Sequence, residues 1–321
     1  RNLDTKMLTN PTAGIRAINS TLTLSAALTE DYGLPIDAPF CCYRNMVGVD
    51  LQGSELNTPV LARKGTNMAG EDVSINRGSQ TIVLQTFFNL LEGIKSTNSS
   101  VSNNERVSSF QNNVGLSLDN SEFKVSEITL DHNQEQGLDS KNSTFNYNKN
   151  ATLAGYTGGP FYPVTNFGAN GQHATLSNSL FVPTYVSGMN NFYERMEFSG
   201  NHQVNSVSSL KTTLPGVTVD NNSTMESVCT RAIVEDAYES VGKYHLNEGV
   251  NGALFRVDNG STLKFESHSA DTTYLFGPLN WSNQQYLAGV YAGNGSKVSF
   301  AGPTTLLQMG VNVLVENNSN M

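Results

Sequence analysis

Apolar and polar residues alternate along much of this chain, and the alternation turns over at an Asn followed by Ser. One instance reads Gly115-Leu116-Ser117-Leu118-Asp119-Asn120-Ser121-Glu122-Phe123-Lys124-Val125. Another, 22 residues later, reads Gly137-Leu138-Asp139-Ser140-Lys141-Asn142-Ser143-Thr144-Phe145-Asn146-Tyr147. Each has an apolar residue four places before the Asn and apolar residues at the third and fifth places after it. Period-two alternation on both sides of a polar corner predicts strand, tight turn, strand. Asn suits the corner because it tolerates left-handed backbone angles.

The phrase recurs at Asn98, Asn178, Asn221, Asn259, Asn294 and Asn318, and its second half at Asn19. From Asn98 onward the corners are spaced 22, 22, 36, 43, 38, 35 and 24 residues apart. A unit of about 22 to 24 residues, with insertions, predicts a solenoid whose coils stack strand on strand. The expected fold is therefore all-β, a parallel β-helix of about a dozen coils forming a rod on the order of 60 Å long. Asn residues in register at the corner are expected to bond as a ladder.

The repeat is clearest over 98–155 and 249–321, so 98–321 is read as regular coils and 1–97 as solenoid with irregular insertions. Within 81–95 the apolar residues fit either a helix or two successive buried strands. Gly78 and Gly93 favour strands, and either way the expected role is core. Two further insertions are expected. Residues 155–173 are rich in Gly, Pro and aromatics and read as a loop that cannot be a coil strand. Its aromatics either lie buried under a loop folded back on the solenoid or project as a binding surface. In the second case Tyr156, Phe161, Tyr162 and Phe167 are the candidate ligand-binding residues. Residues 226–246 carry Val228, Ala232, Ile233, Ala237, Tyr238 and Val241 near a 3.6 period and read as one short helix stopped by Gly242 or Gly249.

Composition narrows the chemistry. The formal charge is −9, and only 15% of residues are charged. An acidic chain argues against a nucleic-acid surface and against docking on anionic lipid. Three cysteines, Cys41, Cys42 and Cys229, fit one long-range bridge with a spare thiol or three buried thiols, and no zinc spacing. No apolar run is long enough for a membrane-spanning helix. Nucleotide, zinc-protease and nucleophile-elbow motifs are absent, so no catalytic, metal or cofactor residue is assigned. His132, within Asp131-His132-Asn133-Gln134-Glu135, reads as a charged turn ahead of a glycoside-cleaving pair. Sequons at Asn19, Asn98, Asn142, Asn150, Asn222, Asn259, Asn280 and Asn294 mostly coincide with the corner. The chain starts without Met and stops just after a corner, and it reads as a fragment of a longer protein.

Gly252-Ala253-Leu254-Phe255-Arg256-Val257-Asp258-Asn259-Gly260-Ser261-Thr262-Leu263-Lys264-Phe265 and Gly289-Val290-Tyr291-Ala292-Gly293-Asn294-Gly295-Ser296-Lys297-Val298-Ser299-Phe300 resemble successive coils of bacterial autotransporter passenger domains. Phe-x-x-Asn at Phe110, Phe145, Phe167 and Phe198 is similar to the tetrad of chlamydial polymorphic membrane proteins, although the companion Gly-Gly-Ala-Ile is missing. The resemblance implies a right-handed parallel β-helix, secretion, and a place outside the cell or on the bacterial outer-membrane surface. It also implies a parent anchored by a separate C-terminal barrel, and an adhesin function in virulence with a host-cell protein or glycan as partner. It carries no site residue, because passengers share scaffold and not site. Phage tailspikes and polysaccharide-cleaving enzymes share the pattern, so such an enzyme and a plain structural stalk remain alternatives.

Overall fold

The structure is a computed structural model describing residues 6–8, 12–24, 40–58, 64–66, 72–74, 82–148, 162–167, 172–184, 194–198, 216–228, 230–233, 253–267, 273–276, 288–307 and 311–321. Among these residues there are strands and turns and no helix. Apart from one antiparallel hairpin, Lys64–Thr66 with Asp72–Ser74, every strand pairing is parallel, which is the expected β-helix.

The coil has three faces. The first is a sheet of ten strands, from Ala13–Ile18 and Val47–Gln52 at one end to Ala288–Ala292 and Val311–Val315 at the other. The ten described rungs, at about 4.8 Å each, span roughly 43 Å, against the dozen coils expected for the whole chain. The second and third faces form one sheet of 17 strands. They fuse because Ser100–Phe110 and Glu122–Asp131 run through both, with a register shift between Asn103 and Arg106.

Alternation builds the core. On the first face Val49, Ile94, Leu116, Leu138, Val217, Phe255 and Val290 lie in register and are fully buried. On the second, Phe123, Phe145 and Phe181 stack with ring centroids 5.5 and 4.7 Å apart. Each such side chain contributes about 1.5–3 kcal/mol of burial, and only the stack as a whole hides all of them.

A left-handed residue followed by Ser joins first face to second in every described rung, as Asn-Ser in most of them and as Asn-Gly-Ser at Asn259 and Asn294. The corner Asn is left-handed throughout, with φ of 47–49° at Asn19, Asn98, Asn120, Asn142 and Asn178. Gly53 fills the same position at φ 56°, a corner that reading for Asn alone misses. The ladder here belongs mainly to serine. The backbone N–H of Ser54 donates to the Ser99 hydroxyl, Ser99 to Ser121, Ser121 to Ser143, Ser143 to Ser179 and Ser179 to Ser223, at 3.0–3.2 Å. Those hydroxyls donate in turn to the carbonyls of Thr97, Asp119, Lys141, Ser177 and Asp220. The exposed Asn side chains bond between rungs in pairs, Asn120 to Asn98 and Asn178 to Asn142.

Several expectations change. Over 81–95 the two strands are present, as Ile82–Phe87 and Glu92–Thr97. The start of the expected helix at 226–246 is strand instead: Thr224–Val228 and Arg231–Ile233 are coil strands, and 234–250 lies outside the described residues. Register with Thr262–Glu266 places Met225 on Leu263 and Ser227 on Phe265, and that pairing outweighs a 3.6-residue pattern. Part of the expected 155–173 loop is also a coil strand. Tyr162–Phe167 pairs with 128–130 and with Glu194–Phe198, and Pro163 sits near its start, at a register shift where a missing N–H is tolerated.

Candidate functional site

Of the candidate binding residues, Tyr162 and Phe167 lie in that third-face strand, and Tyr156 and Phe161 lie outside the described residues. The Phe-x-x-Asn tetrads do not form one feature, since Phe110, Phe167 and Phe198 end third-face strands while Phe145 lies on the second face. His132 is an exposed corner residue at φ 53°, with Nδ1 2.7 Å from Asp131 Oδ1, as its reading as a turn anticipates. Cys42 is buried, which, with Cys41 beside it, pushes its thiol up to about 12 and leaves it inert at neutral pH. Cys229 is outside the described residues.

A more structured surface lies at the corner between third and first faces, over the rungs from Asn45 to Asn133. Asn45, Asn89, Asn112 and Asn133 are all buried. The backbone N–H groups of Asn45, Asn89 and Asn112 donate to the Oδ1 of the next Asn at 3.0–3.1 Å. The amide nitrogens repeat the link at 3.2, 2.9 and 3.3 Å. Asn89 also donates to the Cys42 carbonyl, and Asn112 to Thr86 O and Ser109 Oγ. Glycine makes the room. A Cβ on Gly93 would collide with Ser109 Oγ and meet Thr86 Oγ1 at 2.6 Å and Asn112 Nδ2 at 2.7 Å. Gly14, Gly48 and Gly115 face Asn45, Asn89 and Asn133 in the same way.

Before each buried Asn stands one left-handed residue: Arg44, Phe88, Gln111 and His132, with φ of 53–56°. Register on Tyr43–Phe87–Phe110, whose rings stack at 5.0 and 5.2 Å, places Arg44, Phe88 and Gln111 on successive rungs about 4.8 Å apart. A bulky residue in this conformation costs about 1–2 kcal/mol, and strain of this kind concentrates where function holds it. Phe88 is 53% exposed and rests edge-on against Phe87 at 5.8 Å. Leu90 and Leu91 beside it are 66% and 42% exposed, so within the expected 81–95 core Leu84 and Ile94 are buried while Phe88, Leu90 and Leu91 are not.

A shallow depression opens here, lined among others by Arg44, Phe88, Leu90, Gln111, Asn113 and Gln134, and among the described residues none of those lining it is acidic. The signal was present in the sequence: Tyr43, Phe87 and Phe110 each stand two places before an Asn, and a Gly follows that Asn by three or four.

Elsewhere on the first face charges are interleaved. Arg16 pairs with Asp50 at 3.2 Å, Lys141 with Asp139 at 3.0 Å and Arg256 with Asp258 at 2.7 Å. Among the described residues no group of three metal-ligating side chains forms a candidate metal centre. Comparison with protein-family models, with curated proteins and with solved structures found no match.

Proposed function

We propose that this chain is a passenger segment of a surface-exposed or secreted protein, an adhesin that presents a binding surface on a β-helical rod to a host-cell protein or glycan. One observation carries the reading. Three large apolar side chains, Phe88, Leu90 and Leu91, stand in solvent on a corner whose buried amide ladder holds it rigid. Burial would lower the free energy of all three, and a ligand supplies that burial without a change of fold. The resemblance of the coils around Asn259 and Asn294 to autotransporter passengers supports secretion to the cell surface as the setting.

The test is a binding screen of the purified chain on host cells and immobilised glycans. Phe88→Asn removes the ring but keeps a residue that accepts the left-handed angle, so its fold should survive. Binding lost in Phe88→Asn at unchanged melting temperature supports the proposal. Loss confined to a Tyr156→Ser/Phe161→Ser variant moves the surface to the 149–161 segment. Without saturable binding to any cell or glycan, the adhesin reading fails and the stalk reading takes its place.

A further inference from the structure

Building on that adhesin reading, we infer that the depression around Arg44, Phe88 and Gln111 is a subsite for a carboxylated sugar unit of a glycan. Three features on successive rungs converge. Arg44 brings a permanent cation with a planar set of N–H donors, the geometry that holds a carboxylate through two hydrogen bonds. Phe88 supplies an aromatic face held out from the surface by its own backbone angle, onto which the apolar C–H face of a pyranose can pack. Gln111, Asn113 and Gln134 add uncharged amides, each both donor and acceptor, as sugar hydroxyls require.

Charge selects among ligands. The chain carries −9, yet the described residues that line this depression include an arginine and no carboxylate. An acidic ligand repelled by most of the molecule is thus accepted at this place. The span suits a small unit, since Arg44 and Gln111 are two rungs apart, about 10 Å along the rod. An apolar peptide would use Leu90 and Leu91 but would leave Arg44 and the amides without a counterpart, so the saccharide is the better fit.

The experiment titrates the whole chain by calorimetry and saturation-transfer NMR with 3′-sialyllactose and a galacturonic acid trimer, each against its neutral counterpart, lactose and galactotriose. At least one acidic sugar is expected to bind ten times or more tighter than its counterpart. Arg44→Gln should reduce that preference to about twofold or less, a loss of about fivefold or more for the acidic sugar. Phe88→Asn should weaken acidic and neutral sugars together by about tenfold, with thermal stability equal to or above that of the parent. Saturation transfer should fall on the ring C–H protons.

Equal affinity for acidic and neutral sugars, or a preference untouched by Arg44→Gln, would overturn the assignment. So would the absence of binding by both acidic sugars at millimolar concentration. If the chain still binds cells or other glycans in the screen, only this subsite fails and the adhesin reading stands. If an apolar peptide competes while sugars do not, the depression is a peptide site.

Discussion

Two corners of this solenoid use one device to different extents. At the corner between first and second faces, a left-handed residue is followed by a serine, and from Ser54 to Ser261, and again at Ser319, its hydroxyl receives the N–H of the rung before it. This corner serves all ten described rungs and is two to four residues long. At the corner between third and first faces, a left-handed residue is followed by a buried Asn, and among the described residues the ladder runs from Asn45 to Asn133. Glycine accompanies it at 14, 48, 93 and 115. Beyond Asn133 the described third-face and first-face strands stand farther apart in sequence, as from Phe198 to Val217 and from Ile233 to Ala253. A serine hydroxyl needs little space and closes a turn by itself. A buried carboxamide has a donor group and an acceptor to satisfy and needs a missing side chain opposite. The compact device is therefore used throughout, and the bulky one where a rigid surface is built over it.

The largest effect that breaks this comparison is expected from Gly93→Val. Its branched side chain would enter space held by Ser109, Thr86 and Asn112, costing about 3 kcal/mol by overpacking. Gly295→Ala, where nothing lies within 4 Å and only the φ of 76° resists, should cost about 1 kcal/mol. Chemical denaturation of both variants measures the difference. Next comes Asn112→Ala. It takes the acceptor from the backbone N–H and the side-chain amide of Asn89 and the side-chain donor from the carbonyl of Thr86, for about 2–3 kcal/mol. Ser121→Ala, which strands the single N–H of Ser99, should cost only about 1–2 kcal/mol. A larger loss at Ser121 than at Asn112 would reverse the order argued here.

The smallest effect concerns acid. Burial pushes the Asp258 carboxyl up, but Arg256, the side chain of Asn294 and the backbone N–H of Asn259 together hold it below its ordinary value. A depressed carboxyl contributes stability that is complete above about pH 4, the unfolded value, and is lost as pH falls through the folded one. In a melting series from pH 6 to pH 2, Arg256→Gln should flatten the acid limb. The same slope in parent and variant would remove Arg256 from the account.

Much of this architecture was legible in the sequence. Leu116, Leu118, Phe123 and Val125 around Asn120 alternate, and the structure buries all four. Asn was also legible as a left-handed corner. Its serine neighbour was seen but not given the ladder, because sequence shows which residues adjoin a turn and not which atom faces the next rung. The helical spacing of 226–233 misled because Val228 and Ala232 satisfy a strand register as well as a helix face. The surface at Phe88 was hidden by its own hydrophobicity: Ile82 to Ile94 reads as one apolar run, and only the left-handed angle at Phe88 turns the next residues outward. Its cue, an aromatic two places before a recurrent Asn with a following Gly, is weaker than the Asn-Ser phrase because the Gly shifts by one place between rungs.

The serine ladder has a polarity. Each hydroxyl closes the turn of the rung before it and asks the same service of the rung after. A lesion at one corner is thus displaced: losing the Ser121 hydroxyl unlatches the amide of Ser99, while the Ser121 amide stays held by Ser143. Damage in such a rod points toward its amino-terminal end, and a chain assembled from the first rung onward has each corner locked only when the next one arrives.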